Sequence, residues 1–260
     1  MRKLLLGSVL ALSAGAAQAG NITPYYLVDG DNARAVVIQD GAVVNSFAVP
    51  FRGYPIAING TVWVGDRDNE GATEYTLGGT PTGNTSAGGG WLSQILDGTT
   101  DGTNNFGVSC CDSQAVTIAA TDWSNQSILF DLDYGANGIA YDPTTTSLFV
   151  SFFGGGIAQY DMQGNVLGLF MAELVGLAYE AATDTLWGWD PFASALVQYS
   201  KTGDLLETNP VDVAQYGLTN PFGGEMAASL AVEVTEPASL ALFGAGVIGL
   251  GLGRRRRRRG

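Results

Sequence analysis

The chain has 260 residues, with 12 Lys and Arg against 25 Asp and Glu, so its net charge is −13. Histidine is absent, which removes the usual general base, the Ser-His-Asp and Cys-His arrangements and the commonest metal ligand. Between residues 21 and 233 only Arg34, Arg52, Arg67 and Lys201 are basic against 24 acids, a net charge of −20 that repels phosphates and excludes nucleic acid as a partner.

The first predicted element is a leader. Arg2 and Lys3 precede an apolar run, Leu4 to Ala14, that is short for a bilayer span, and Ala17-Gln18-Ala19 supplies a small-x-small cleavage pattern. Residues 1–19 are therefore expected to be a signal peptide removed by signal peptidase. The mature chain then sits in an oxidising compartment.

Residues 20–233 are expected to form one all-β domain. Apolar alternation punctuated by Gly, Asp and Thr turns recurs throughout, and no segment sustains a helical period. Tyr25 to Val28, Arg34 to Ile38 and Val43 to Val49 read as second, third and fourth strands of a repeat that lacks its first. Residues 54–77 supply three strands, followed by a Gly/Thr-rich insertion from Gly78 to Gly90, with Trp91 to Leu96 as a displaced fourth. Residues 106–133 give another set with a shortened end. The clearest copies are residues 138–170 and 176–206, each opening on Gly-Ile/Leu-Ala-Tyr and passing through a Thr-rich turn to an aromatic strand. Gly223 to Val232 reads as a first strand without followers.

First-strand starts at Tyr54, Phe106, Gly138, Gly176 and Gly223 predict a small β-propeller of about five four-stranded blades. The orphan C-terminal strand would complete the first blade, so that the ring closes without open edges. The uneven spacing leaves six blades open, and a lectin-type β-sandwich is the competing architecture. Aligned second strands place Asp29, Asp66, Asp122 and Asp190 at the turn into strand three. The segment VDGDNARAVVI at residues 28–38 resembles the NHL-repeat pattern, in which an Asp and an Asn shape that turn before an aliphatic strand. The resemblance implies a propeller fold and no particular activity.

Several residues are candidates for chemistry. The register aspartates either line one face as a cation site or cap turns through nearby backbone N–H groups. Asp66, Asp68, Glu70 and Gly71 mimic the opening of an EF-hand loop, but Leu77 occupies the twelfth position and no helices flank it, so only a looser calcium loop remains. Asp29, Asp31 and Asn32 form a thinner version. Cys110-Cys111 can form a vicinal disulfide, stay reduced or bridge two molecules. Trp63, Trp123, Trp187 and Trp189 are read in or beside second strands as packing between blades, and Trp91 as the more exposed indole. Glu173, Glu180 and Glu225, near first strands, are the carboxylates that a divalent-metal-dependent propeller hydrolase or lactonase would use. Without an identifiable catalytic constellation, a non-enzymatic module binding polysaccharide, cations or protein is the preferred expectation.

The last element is the tail. Thr235-Glu236-Pro237 precedes an uncharged stretch from Ala238 to Gly253, and Arg254, Arg255 and Arg256 begin a run of six arginines. Arginines beside such a stretch hold that end inside. This arrangement at residues 234–260 resembles the PEP-CTERM sorting tail of Gram-negative bacteria, with Thr235 in place of the first proline of the motif. The resemblance implies recognition of Glu236 and Pro237 by an exosortase, a membrane cysteine protease-transpeptidase. It also implies an inner-membrane intermediate, release or re-attachment at the cell surface, and association with extracellular polysaccharide and biofilm matrix.

Overall fold

The computed structural model describes residues 23–68, 71–88, 94–111 and 113–227. The expected signal peptide, the sorting tail, Glu70 and Trp91 lie outside these residues. Twenty strands and one short 3-10 turn make up the described chain. The first three strands are Tyr25–Asp29 (β1), Arg34–Gln39 (β2) and Ala42–Ala48 (β3). The second blade holds Gly53–Ile58 (β4), Val62–Asp66 (β5), Gly71–Tyr75 (β6) and Pro81–Ala87 (β7). The third holds Ile95–Thr100 (β8), Asn104–Ser109 (β9), Ala115–Ala120 (β10) and Ser127–Asp131 (β11). The fourth holds Ala136–Asp142 (β12), Ser147–Phe152 (β13), Ile157–Asp161 (β14) and Val166–Phe170 (β15). The fifth holds Val175–Glu180 (β16), Thr185–Asp190 (β17), Ala195–Tyr199 (β18) and Leu205–Pro210 (β19), and Gly223–Met226 (β20) follows.

These strands form five antiparallel four-stranded sheets. In four of them the strands follow chain order, whereas the first has the order β20-β1-β2-β3. Tyr25 pairs with Met226 and Val28 with Gly223, so the last described strand supplies the inner edge of the first blade. The inner strands β4, β8, β12, β16 and β20 neighbour one another in a closed ring. The fold is the five-bladed propeller expected from the repeats, closed by its C-terminal strand.

Each pair of adjacent blades encloses its own apolar cluster. Tyr25 and Leu27 of β1 face the fifth blade with Trp187 and Trp189, while Tyr26 and Val28 face the second with Ile56 and Val64. The side chains alternate, but both faces are buried, so β1 reads as a nearly continuous apolar run, YYLVD. The interface between the second and third blades differs. It is built from Ala57, Ala72 and Ala119 around the buried Trp123, with Trp63 packed against them.

The phase of the third blade departs from the sequence reading. Its first strand is β8, starting at Ile95, and Phe106 lies in its second strand. Trp91 to Leu96 is therefore not the fourth strand of the second blade. That strand is β7, inside the segment read as an insertion, and it pairs with β6. Its sequence PTGNTSA is almost wholly exposed, so no apolar alternation marks it. A strand pairs through backbone groups that every non-proline residue carries, and polar side chains do not prevent this. Asp122 and Trp123 consequently belong to the turn from β10 into β11, not to a second strand.

Candidate functional site

The C-terminal ends of all five inner strands meet around one cavity of about 410 Å³. β4 contributes Ile58, β8 Thr99 and Thr100, β12 Tyr141, β16 Tyr179, and β20 Glu225 and Met226. Asn59, Asp101 and Gly102, from the turns that follow β4 and β8, complete part of the rim. The wall thus mixes two carboxyls, hydroxyls, an amide and two tyrosine rings with aliphatic surface, in the size range of small-molecule sites.

Below this cavity lies Asp97, wholly buried on β8. Its Oδ2 accepts the backbone N–H groups of Ile139 on β12 (2.8 Å) and Leu177 on β16 (2.9 Å), and its Oδ1 accepts that of Gly224 on β20 (2.8 Å). One carboxyl therefore joins its own inner strand to those of three other blades. Burial pushes this carboxyl well above the ordinary range, backbone N–H groups of Gly224, Ile139 and Gly98 pull it back, and the charge of Glu225 adds to the rise. Beside it, the Tyr25 hydroxyl donates to the Gly176 carbonyl.

Glu225 is the deepest titratable group of the cavity wall, only 5% exposed. Its Oε1 accepts the Met226 N–H at 2.9 Å, and the Thr99 hydroxyl also bonds to the carboxyl. Burial pushes it up to about 8, with those two hydrogen bonds pulling the other way. At the outer rim, Lys201 Nζ reaches Asp184 Oδ1 at 2.6 Å and Asp142 Oδ2 at 3.1 Å, bridging the fourth and fifth blades. Tyr179 donates to Asp184 at 2.7 Å.

Asp97 and Asp101 stand near Glu225, whereas Glu180 and Glu173 are held elsewhere. Glu180 is buried at the end of β16, where its Oε2 accepts the Trp187 indole N–H and the Thr183 hydroxyl, each at 2.8 Å. Glu173 lies in the connection before β16, at the opposite end of the inner strands.

That opposite end carries the turns from second to third strands. Asp29 is buried and accepts N–H groups from Thr219 and Asn220 at 2.8 Å, with Asn32 Nδ2 at 2.7 Å. Asp190 caps its turn through the N–H groups of Phe192 and Ala193. Asp66 does so through that of Asp68. Asp68 is paired with Arg52 and, at 3.6 Å, with Arg67, so guanidinium groups stand beside the carboxylate proposed for a calcium loop. Among the described residues no group of three or more His, Cys, Asp and Glu is arranged to hold a metal ion.

Cys110 and Cys111 are disulfide-bonded to each other at the turn after β9, the place that Asp29, Asp66 and Asp190 occupy in other blades. Cys110 is buried and Cys111 exposed. Nearby, the Phe222 ring lies edge-on to Tyr54 (5.8 Å) and Phe153 (6.1 Å). Trp187 and Trp189 are buried between blades and Trp63 is partly buried.

The sequence reading does not single out Asp97, which follows directly on the segment Trp91 to Leu96 expected as a displaced fourth strand. A signal was present. Asp97-Gly98, Asn137-Gly138, Val175-Gly176 and Gly223-Gly224 recur as x-Gly pairs in the inner strands, and aligning them marks β8 as a first strand.

Residues 233–258 match the family model described as the PEP-CTERM protein-sorting motif. No curated protein matches the sequence significantly. Among solved structures, a chain of a nidogen/laminin complex is similar with a TM-score of 0.54 and 14% identity, over 80% of this chain and 99% of that one. A protein of unknown function from Bacteroides caccae has a TM-score of 0.46 and 12% identity, over 72% of each chain. At such identities the likeness concerns the fold alone. The chain is a five-bladed β-propeller that carries a C-terminal PEP-CTERM protein-sorting motif, which implies an exported, exosortase-processed protein.

Proposed function

We propose that this is a surface or matrix protein whose propeller binds an extracellular polysaccharide, without chemistry, at the cavity where the inner strands end. The observation that carries the reading is the make-up of that cavity. Asn59, Thr100 and Asp101 bond within and across the turn after β8 and keep further lone pairs for hydroxyl groups, while Tyr141, stacked on Phe106, and Tyr179, with Lys201 Nζ 5.7 Å from its ring centroid, add aromatic surface suited to the apolar side of a sugar. A hydrolase would need carboxylates close to one another around a metal or a scissile bond. Glu180 is engaged with Trp187, Glu173 lies at the far end, and Asp97 near Glu225 is taken up by three backbone N–H groups, which favours binding over turnover. Before processing, the uncharged stretch from Ala238 to Gly253 would hold the chain in the inner membrane, its arginines inside.

The test is calorimetry of the processed protein against a panel of oligosaccharides, with a parallel turnover assay on lactones and glycosides. Saturable glycan binding without turnover is expected. Chelator-sensitive hydrolysis would overturn the reading. Intact mass of the exported protein is expected to show loss of the residues after the sorting motif.

A further inference from the structure

We infer that the sugar taken at this cavity bears a free amino group, whose ammonium sits against Glu225 with Asp101 at the rim. The inference rests on the cavity being the polysaccharide site proposed above, and deepens it to a substrate class.

The argument starts from charge. Among the described residues no Lys or Arg lines the cavity, although two carboxyls do. The described bases are committed elsewhere. Arg52 and Arg67 pair with Asp68, Arg34 packs near Gly217, and Lys201, whose Nζ lies 5.7 Å from the centroid of the cavity-lining Tyr179 ring, is neutralised between Asp142 and Asp184. The groups that act on Glu225 are neutral or acidic: the Thr99 hydroxyl and Asp97 of β8, the Met226 N–H of its own strand and the Tyr25 hydroxyl of β1. A carboxyl this deeply buried normally has a cationic partner, since desolvating an unpaired charge is costly. Here the protein supplies hydrogen bonds but no cation, and burial raises the group to about 8, so below that pH the empty cavity holds Glu225 as the neutral acid. An ammonium entering the cavity would stabilise the carboxylate, so that Glu225 releases its proton to solvent as the cation binds.

The rest of the wall selects an organic cation over a metal. Calcium requires roughly six to eight converging oxygens. Glu225 Oε1 already takes the Met226 N–H, and Asp101 Oδ1 takes those of Thr103 and Asn104 at 2.7 and 2.6 Å. Ile58, Pro143 and Met226 add apolar surface that suits a carbon skeleton. The charge of −20 over residues 21–233 would also draw a polyamine chain toward the molecule.

The experiment measures binding of a β-1,4-linked glucosamine trimer and its fully N-acetylated counterpart to the processed protein at pH 6.5. The free-amine trimer is expected to bind at least about tenfold more tightly, the scale of one charge-assisted hydrogen bond. Glu225→Gln, whose amide offers no negative charge, is expected to remove that difference, with the fold checked by circular dichroism. Should that variant fold poorly, Asp101→Asn, on the partly exposed rim, is expected to reduce the preference about threefold. Equal affinity for the two trimers, or a preference unchanged in both variants, overturns the amine assignment while leaving the polysaccharide site standing. Binding of neither trimer, together with no response on the wider glycan panel, overturns both.

Discussion

Asp97 and Gly224 are 127 positions apart, yet the Gly224 N–H donates to Asp97 Oδ1 over 2.8 Å at the axis of the ring. The contact ties the strand that closes the first blade to the inner strand of the third. The same carboxyl holds Ile139 and Leu177, so ring closure and axial order converge on one side chain.

Asp97→Ala leaves those three buried N–H groups without an acceptor. At about 1–3 kcal/mol for each orphaned donor, a loss on the order of 3–9 kcal/mol is expected. Asp97→Asn keeps one oxygen acceptor and should fall between the alanine variant and wild type. Urea denaturation of the three proteins checks the order. Equal stability of wild type and Asp97→Ala would remove the axial role.

The interface between the second and third blades depends on an indole seated on glycine. A Cβ at Gly98 would collide with the ring of Trp123 and come within 2.9 Å of the Ile56 carbonyl oxygen. Gly98→Ala is therefore expected to cost about 1–3 kcal/mol by overpacking. Trp123→Ala should cost about 3–5 kcal/mol through the void it leaves. In the double variant the penalty of Gly98→Ala should shrink, since the ring that the added methyl strikes is gone. Additive losses in thermal melts would contradict this packing.

Glu225 sets a pH dependence. Its ordinary value of 4.5 rises to about 8 on folding, so between those values the folded chain holds a proton that the unfolded chain has lost. Stability from this group is complete below about 4.5, falls as pH rises and is gone above about 8, with a slope of about 1.4 kcal/mol per pH unit. Asp97, also raised, acts in the same direction. Glu225→Gln should make the decline between pH 5 and 8 shallower by one proton. An unchanged slope would show that Glu225 does not titrate in this range.

Asp142 acts at the acid end. Burial opposes its ionisation, but hydrogen bonds from Thr144, Thr145 and Lys201 outweigh it and hold the carboxyl below its ordinary 3.8. Its stabilisation is present above that value and is lost as pH falls through the lowered one. Lys201→Met should shift acid unfolding to higher pH and cost about 1–2 kcal/mol at pH 7, because Asp142 is wholly buried whereas Asp184 is half exposed. Acid titrations followed by tryptophan fluorescence would read this. A coincident acid limb in the two proteins would discount the bridge.

Much of this architecture could be read along the chain. The fourth and fifth blades announce themselves through Gly-Ile/Leu-Ala-Tyr, and the closing strand through a first-strand pattern with nothing after it. Those segments are legible because burial on both faces leaves a dense apolar signature. β7 carries no such signature, since PTGNTSA lies on the outer edge in solvent. β8 hides behind Asp97 and Gly98, whose polarity and small size serve the axis and the Trp123 ring and imitate a turn. Missing both shifted the third blade by one strand and misplaced Asp122 and Trp123, although the count of five was right.

The linear order of residues was enough to determine the sorting motif with the export it implies, the acidic charge and the repeating sheet units, because each is written in local composition or spacing. Glu225 reads there as one carboxylate among several near first strands, and Asp97 is not marked at all. Only the closed ring places one at the floor of a cavity and the other at an axis shared by four blades. Burial and hydrogen bonding depend on neighbours up to 127 residues away, and those neighbours are chosen by ring closure rather than by local pattern.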